Sequence, residues 1–181
     1  MIYCSLNLDK TRDAGKTGDL ICYGIGTFSV FSGIDPYANK AGCSGIDKGS
    51  IPTGKYWIVA RPTGGLRSKM RTAIQDWWTG NDHSTWFALY RQDGVMDDWT
   101  FINGIKRGNF RLHPNRPDGQ GESWGCITFY NPTEFSILRN RLLRTQQIHI
   151  RGSSGLMAYG LWLMAYGQVT VTGNSEANCD V

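Results

Sequence analysis

The sequence predicts a mostly β domain of the α+β class with about two helices, and three observations carry that expectation. Short runs of apolar, β-branched and aromatic residues alternate with polar ones, in the period-two pattern of half-buried strands. Glycine occurs 23 times with no fixed period, which suits a chain of frequent turns and excludes collagen-like and low-complexity architectures. Helical spacing is confined to two stretches, 66–78 and 131–143.

Taken in order, Met1 to Leu8 alternates as a strand, and the polar region from Asp9 to Asp19 turns the chain into a second strand at Leu20 to Tyr23. Phe28 to Gly33 is a third strand after Gly24-x-Gly26, a pair of glycines that no helix pattern follows and that is therefore a poor phosphate loop. Asp35 to Gly49 is loop by composition, and Ile51-Pro-Thr-Gly-Lys-Tyr-Trp-Ile-Val59 is a tight turn leading into a β-branched and aromatic strand. Leu66, Met70, Ile74 and Trp77 or Trp78 recur at helical spacing, with Gly80 as a stop.

Trp86 to Arg91 is a strand, and Thr100 to His113 reads as strand, Asn-Gly turn and strand. Ile127 to Phe129 is a further strand. Asn131-Pro-Thr-Glu then starts the second helix, with Asn at the cap and Pro at the first position. Its apolar face is Phe135, Ile137, Leu138, Leu142 and Leu143. Gln147 to Arg151 returns as a strand, with His149 between two isoleucines. The echo Leu156-Met-Ala-Tyr-Gly160 and Leu163-Met-Ala-Tyr-Gly167 is too short to define a repeat architecture. Gln168 to Thr172 is a last strand, and the polar segment from Asn174 to Val181 is expected to be loose.

A chain of 181 residues with 40% hydrophobic and 12% aromatic residues closes a core as one domain, which excludes disorder. Its net charge is a mild +4, and no Lys/Arg run marks a nucleic-acid arm. The charge is nonetheless uneven. From Trp99 to Arg151 there are eight cations against three acids, so an anionic substrate is expected there, although a solvated face explains the charge equally well. No apolar stretch is long enough to span a membrane.

Five cysteines, at 4, 22, 43, 126 and 179, leave at least one thiol unpaired in an oxidising compartment, and Cys126 is the candidate. The other four allow three pairings. Cys/His spacing of zinc type is missing, so neither a metal nor another cofactor is expected. The opening ten residues lack a positive n-region followed by an apolar run, so the expectation is a protein that stays in the cytoplasm or leaves without a cleaved signal.

Chemistry concentrates between Asn109 and Asn131. His113 closes a strand, glycine and proline force a loop, and Cys126 ends the turn Ser123-Trp124-Gly125-Cys126. Thiolates are the reactive form of cysteine, and a neighbouring imidazole commonly generates them. A free cysteine is more often an inert core residue, and a lone histidine is more often a satisfied strand end. The turn weighs against the inert reading: its glycine can bring backbone N-H groups toward an oxyanion, as acyl transfer requires. His83, in a polar loop, and His149 are weaker candidates for the base.

Order discriminates further. Papain-like hydrolases run Cys before a distant His, and here His149 follows Cys126 by only 23 residues. His113, a spacer, then Ser123-x-Gly125-Cys126-Ile127 resembles instead the signature of L,D-transpeptidases of the YkuD type, as does Ile51-Pro-Thr-Gly-Lys-Tyr56. Trp124 stands where that family has a second His, and Thr128 where an Arg is usual. With the opening Met-Ile-Tyr-Cys, Trp86 to Arg91, Arg107-Gly-Asn-Phe-Arg-Leu-His-Pro114 and Gly-Cys-Ile-Thr128, the chain is more similar still to type VI secretion L,D-transpeptidase effectors.

The resemblance implies an L,D-transpeptidase-like β-sandwich or barrel over residues 1–152, with residues 153–181 a C-terminal extension packed on the same domain. It implies a peptidoglycan-targeting antibacterial toxin, secreted without a cleaved signal peptide into the periplasm of target bacteria, with a secretion apparatus and a cognate immunity protein as partners. Its chemistry is that of a cysteine L,D-carboxypeptidase or L,D-transpeptidase acting on stem tetrapeptides, through a thioester at diaminopimelate with loss or exchange of the terminal D-Ala. Cys126 is then the nucleophile, His113 the base, and Ser123 the residue that shapes the turn. Gly125 and Cys126 supply oxyanion donors, while Arg111, Arg116 and Trp124 contact the substrate. A reactive thiol of this kind is expected to label quickly below pH 7. The second reading is a non-catalytic peptidoglycan- or partner-binding module on the same fold, and Trp124 in place of His is the feature that favours it.

Overall fold

The computed structural model describes residues 1–60, 85–116, 123–150 and 163–180. Eleven strands appear among them: β1 (Ile2–Arg12), β2 (Thr17–Cys22), β3 (Gly26–Phe31), β4 (Gly54–Ala60), β5 (Phe87–Arg91), β6 (Trp99–Ile102), β7 (Ile105–Gly108), β8 (Arg111–Pro114), β9 (Ile127–Phe129), β10 (Ile148–Ile150) and β11 (Leu163–Thr172). The order β1-β2-β3-β9-β8-β5-β4-β11 closes on itself because β11 also pairs with β1, giving an eight-stranded barrel. Closure removes the open edges that an eight-stranded sheet would otherwise expose. β10 extends the sheet beside the first half of β11, and β6 and β7 form a separate hairpin.

The alternation seen in the sequence fills this barrel. Cys4, Leu6 and Leu8 of β1, Leu20 and Cys22 of β2, Tyr56 and Ile58 of β4, and Val169 and Val171 of β11 all join one core. Leu112 of β8 and Ile127 and Phe129 of β9 face the same core, so Arg111, His113 and Thr128 face the other way. A second, smaller cluster of Val59, Ala88, Tyr90, Ile150 and Ala165 covers part of that other face.

Among the described residues the mostly β expectation holds, with one α-helix and a 3-10 turn at Ala41–Cys43. The helix, α1 (Pro132–Arg144), starts as its sequence requires: the Asn131 side chain accepts from the Thr133 N-H at 2.9 Å. It sends Phe135, Leu138 and Leu142 into the main core, where Phe135 meets Phe129 edge-on with ring centroids 5.5 Å apart. The helix expected over 66–78, the first copy of the Leu-Met-Ala-Tyr-Gly echo and His83 lie outside the described residues.

Two segments differ from expectation. β11 begins at Leu163, so the second copy of the echo belongs to the strand that closes the barrel. The polar tail is also tied down. Cys179 is bonded to Cys43, the Asn174 N-H donates to the Asp9 carboxylate, and Lys40 Nζ donates to the Asp180 carbonyl. Composition alone suggests looseness because it cannot register a crosslink to a residue 136 positions away. A second disulfide joins Cys4 and Cys22, which face each other across β1 and β2. Cys126 is left as the free thiol.

Candidate active site

β8 and β9 position the candidate residues. The two strands are parallel, with Leu112 opposite Ile127 and His113 opposite Thr128. Continued by one residue, this register sets Cys126 opposite Arg111, so Arg111, His113, Cys126 and Thr128 share the face turned away from the barrel core. Strand geometry puts the backbones of His113 and Cys126 about 8 Å apart on that face, a span that two inclined side chains can bridge.

His113 is fully buried and held on several sides. Its Nδ1 lies 2.8 Å from the Pro114 carbonyl oxygen, and its Nε2 lies 3.2 Å from Thr128 Oγ1. A carbonyl oxygen only accepts, so Nδ1 carries the proton. In the neutral ring Nε2 then presents its lone pair, and the Thr128 hydroxyl donates to it. Trp86 stacks on the imidazole at 4.3 Å between centroids, where the antiparallel register of β5 and β8 carries it.

The turn before Cys126 is built by hydrogen bonds and by one glycine. Ser123 Oγ donates to the Cys126 carbonyl at 2.7 Å and accepts from the Gly33 N-H at 3.3 Å, which fixes the turn from inside. Gly125 has φ of +87°, and a Cβ there would fall 2.6 Å from Arg107 Nη2 and 2.8 Å from Phe110 Cε1. Only glycine satisfies both conditions. Arg107 is itself fixed, since its guanidinium donates to the Ser44 and Gly49 carbonyls. Trp124 projects from the turn with 44% of its surface exposed.

Cys126 is buried, and its Sγ donates to the Asn109 carbonyl at 3.7 Å. Burial pushes the thiol up to about 11, opposed by the charge and backbone N-H of Arg111 and by the charge of Arg107. Burial thus favours the protonated thiol in the folded protein, against the standing thiolate that labels quickly below pH 7. Desolvation is the reason, and chain order does not encode it. A group that is charged only when deprotonated can still react if a base removes its proton as the bond forms.

The remaining candidates divide. Arg111, expected to contact a substrate carboxylate, is buried and bonded through Nη1 and Nη2 to the two oxygens of Asp98, at 2.6 and 2.7 Å. A guanidinium already forked onto a carboxylate has its planar donor edge occupied, so a substrate carboxylate would compete with Asp98 for it. Arg116 is half-buried just beyond β8, with its N-H donating to the Asn115 side chain. His149 is exposed on β10, which borders the first half of β11.

Sequence reasoning missed Asp98, Asn109 and the stacking of Trp86. Asn109 carried a usable signal: it follows a glycine at the end of a hairpin strand and takes φ of +58°, a conformation Asn tolerates better than most residues. A family model described as the Tlde1 domain matches residues 26–153, from the start of β3 to just beyond β10. No curated protein matches the chain.

Proposed function

The chain belongs to the Tlde1 domain family, a family of type VI effectors, and from that premise we propose that it is a cysteine L,D-carboxypeptidase or L,D-transpeptidase acting on peptidoglycan stem tetrapeptides. The observation that carries this reading is the shared face of β8 and β9: a tautomer-fixed imidazole on one strand, and on the next a thiol at the end of a glycine turn.

The reaction follows from those groups. A stem peptide settles against the turn, and Cys126 Sγ attacks the carbonyl carbon of the diaminopimelate residue while its proton passes to His113 Nε2. The Gly125 and Cys126 N-H groups receive the developing oxyanion. Collapse breaks the bond to D-Ala, whose nitrogen takes the proton back from His113, and leaves a thioester on Cys126. Water resolves the thioester to a tripeptide, a free D-amino acid exchanges into it, or the amine of a second stem crosslinks to it. Arg116 and Trp124 contact the substrate at the rim, and Ser123 holds the turn in place. None of these steps calls on a metal or cofactor.

As an effector the protein passes through the secretion apparatus into the periplasm of a target bacterium, where the oxidising environment sustains the Cys4–Cys22 and Cys43–Cys179 disulfides. A producer making such an enzyme needs a cognate immunity protein. Incubation of the protein with purified tetrapeptide muropeptides, followed by mass spectrometry, tests the reading directly. Release or exchange of D-Ala that disappears in Cys126→Ala supports it, and release unchanged in that variant overturns it.

The burial of the Cys126 thiol favours a second reading, a module that binds peptidoglycan or a protein partner without turnover. Muropeptide binding with no D-Ala release from the intact protein identifies that case.

A further inference from the structure

Around Cys126 four charged or titratable groups converge from different elements: Arg107 from β7, Arg111 and His113 from β8, and Asp98 from the turn ahead of β6. Tyr90 of β5 lies behind Arg111 on the same side of the sheet. Arg107 is spent on the Ser44 and Gly49 carbonyls, and the Nδ1 of His113 on Pro114. Arg111 stands apart from both. It lies opposite Cys126 by strand register, its backbone N-H and its charge both favour the thiolate, and its guanidinium meets the one carboxylate of the cluster.

Geometry makes the ion pair a device with two opposed arms. Nη1 of Arg111 donates to Asp98 Oδ1 and to the Phe110 carbonyl, and Nη2 donates to Asp98 Oδ2. The Phe110 and Asn109 carbonyls belong to the same short segment, and Asn109 is where the Cys126 thiol donates. The guanidinium and the sulfur therefore bear on the same two-residue segment. A buried cation favours a thiolate beside it, while the carboxylate that neutralises the cation takes part of that effect away.

We propose that Arg111 and Asp98 are positioning residues for Cys126, Arg111 stabilising its thiolate and Asp98 limiting that stabilisation while holding the guanidinium in place. This rests on Cys126 being the nucleophile of the proposed reaction, but the thiolate itself is measurable without substrate. The arrangement keeps the resting thiol protonated until His113 accepts the proton as the sulfur attacks. It has an unusual consequence: loss of either member of one ion pair changes the sulfur in opposite directions.

The test is the pH profile of Cys126 carbamidomethylation by iodoacetamide, followed by mass spectrometry on the full-length oxidised protein, with circular dichroism to verify folding. At pH 8.5 Arg111→Met labels at least about tenfold more slowly than the parent protein, the usual effect of losing one nearby charge. Asp98→Asn shifts the profile to lower pH, and at pH 8.5 labels at least several-fold faster than the parent protein. Arg111→Lys keeps a charge without the fork and falls between Arg111→Met and the parent. Shifts of the same sign in Arg111→Met and Asp98→Asn, or no shift in either, overturn the proposal, because a merely structural pair disturbs the site alike whichever member is lost. If Arg111→Met does not fold, Asp98→Asn and Arg111→Lys decide it. D-Ala release measured on the same samples separates the two ideas. A parent protein that releases none defeats the proposed reaction, and the alkylation profiles still judge the ion pair.

Discussion

His113 donates from Nδ1 to the carbonyl oxygen of Pro114, its own chain neighbour, at 2.8 Å. Among the described residues a backbone carbonyl thus orients this histidine. A carbonyl holds the ring and selects its tautomer as a carboxylate does, but adds no negative charge to stabilise the imidazolium. The Thr128 hydroxyl 3.2 Å from Nε2 can turn to accept once that nitrogen is protonated.

Replacement of His113 by Ala removes the base and leaves the turn and its oxyanion donors intact. D-Ala release should fall by about two to four powers of ten, the usual worth of general acid-base catalysis. Because burial holds the thiol up, the residual rate should also climb with pH well above neutrality. A variant that retains full rate at neutral pH assigns the base elsewhere, and His83 and His149 are then the histidines to replace.

Gly125 is the position where an added methyl group has nowhere to go. Gly125→Ala combines a left-handed backbone with a Cβ under 3 Å from both Arg107 and Phe110. Such strain costs on the order of 1–3 kcal/mol before any relaxation. The thermal midpoint should drop by several degrees, and D-Ala release should drop further than stability alone explains, since the turn carries the proposed oxyanion donors. Unchanged melting and activity in Gly125→Ala would show that the turn tolerates another conformation.

Much of this was legible in the chain. Alternation announced the strands of the barrel, Asn131-Pro132 announced the start of α1, and the odd cysteine count made Cys126 the candidate for the free thiol. What the sequence could not supply was set by pairings between distant residues. β11 belongs to the barrel because β1 and β4 take it as a neighbour, although the family resemblance ends before it. Arg111 sits two residues before His113 in a basic segment, so it reads as an anion anchor until Asp98, thirteen residues earlier, is seen to occupy it. The high proton affinity of Cys126 follows from burial alone, and local sequence does not report burial.

The Cys43–Cys179 disulfide reaches the site through a short chain of contacts. Cys43 ends the 3-10 turn, the next residue, Ser44, accepts from Arg107, and Arg107 lies against Gly125. Replacing both cysteines with Ser should cost about 2–5 kcal/mol of stability, the usual worth of a native disulfide in a small secreted domain. It should also slow D-Ala release at temperatures where the protein remains folded. Removing Cys4 and Cys22 in the same way should lower stability with less effect on rate, because that crosslink joins strands away from Arg107. Equal rate losses from the two pairs would argue against the path through Ser44.

The buried thiol also makes stability depend on pH over a defined window. In the unfolded chain Cys126 loses its proton near pH 8.5, whereas in the folded protein burial pushes it up to about 11. Between those values the folded state holds a proton that the unfolded state has released. Stability contributed by the neutral thiol is therefore complete below about pH 8.5 and is lost as pH rises toward 11, at no more than about 1.4 kcal/mol per pH unit. Tyr56 and Tyr90, also raised by burial, add the same sign of effect from about pH 9, since an unfolded tyrosine is already half ionised near pH 10. The tyrosines are common to Cys126→Ala, so between about pH 8.5 and 10 the difference between the two proteins isolates the cysteine. Chemical denaturation of the oxidised protein across that interval should show falling stability that flattens in Cys126→Ala. An equally steep decline in that variant would place the titrating group elsewhere and remove the case for a desolvated thiol at the centre of this site.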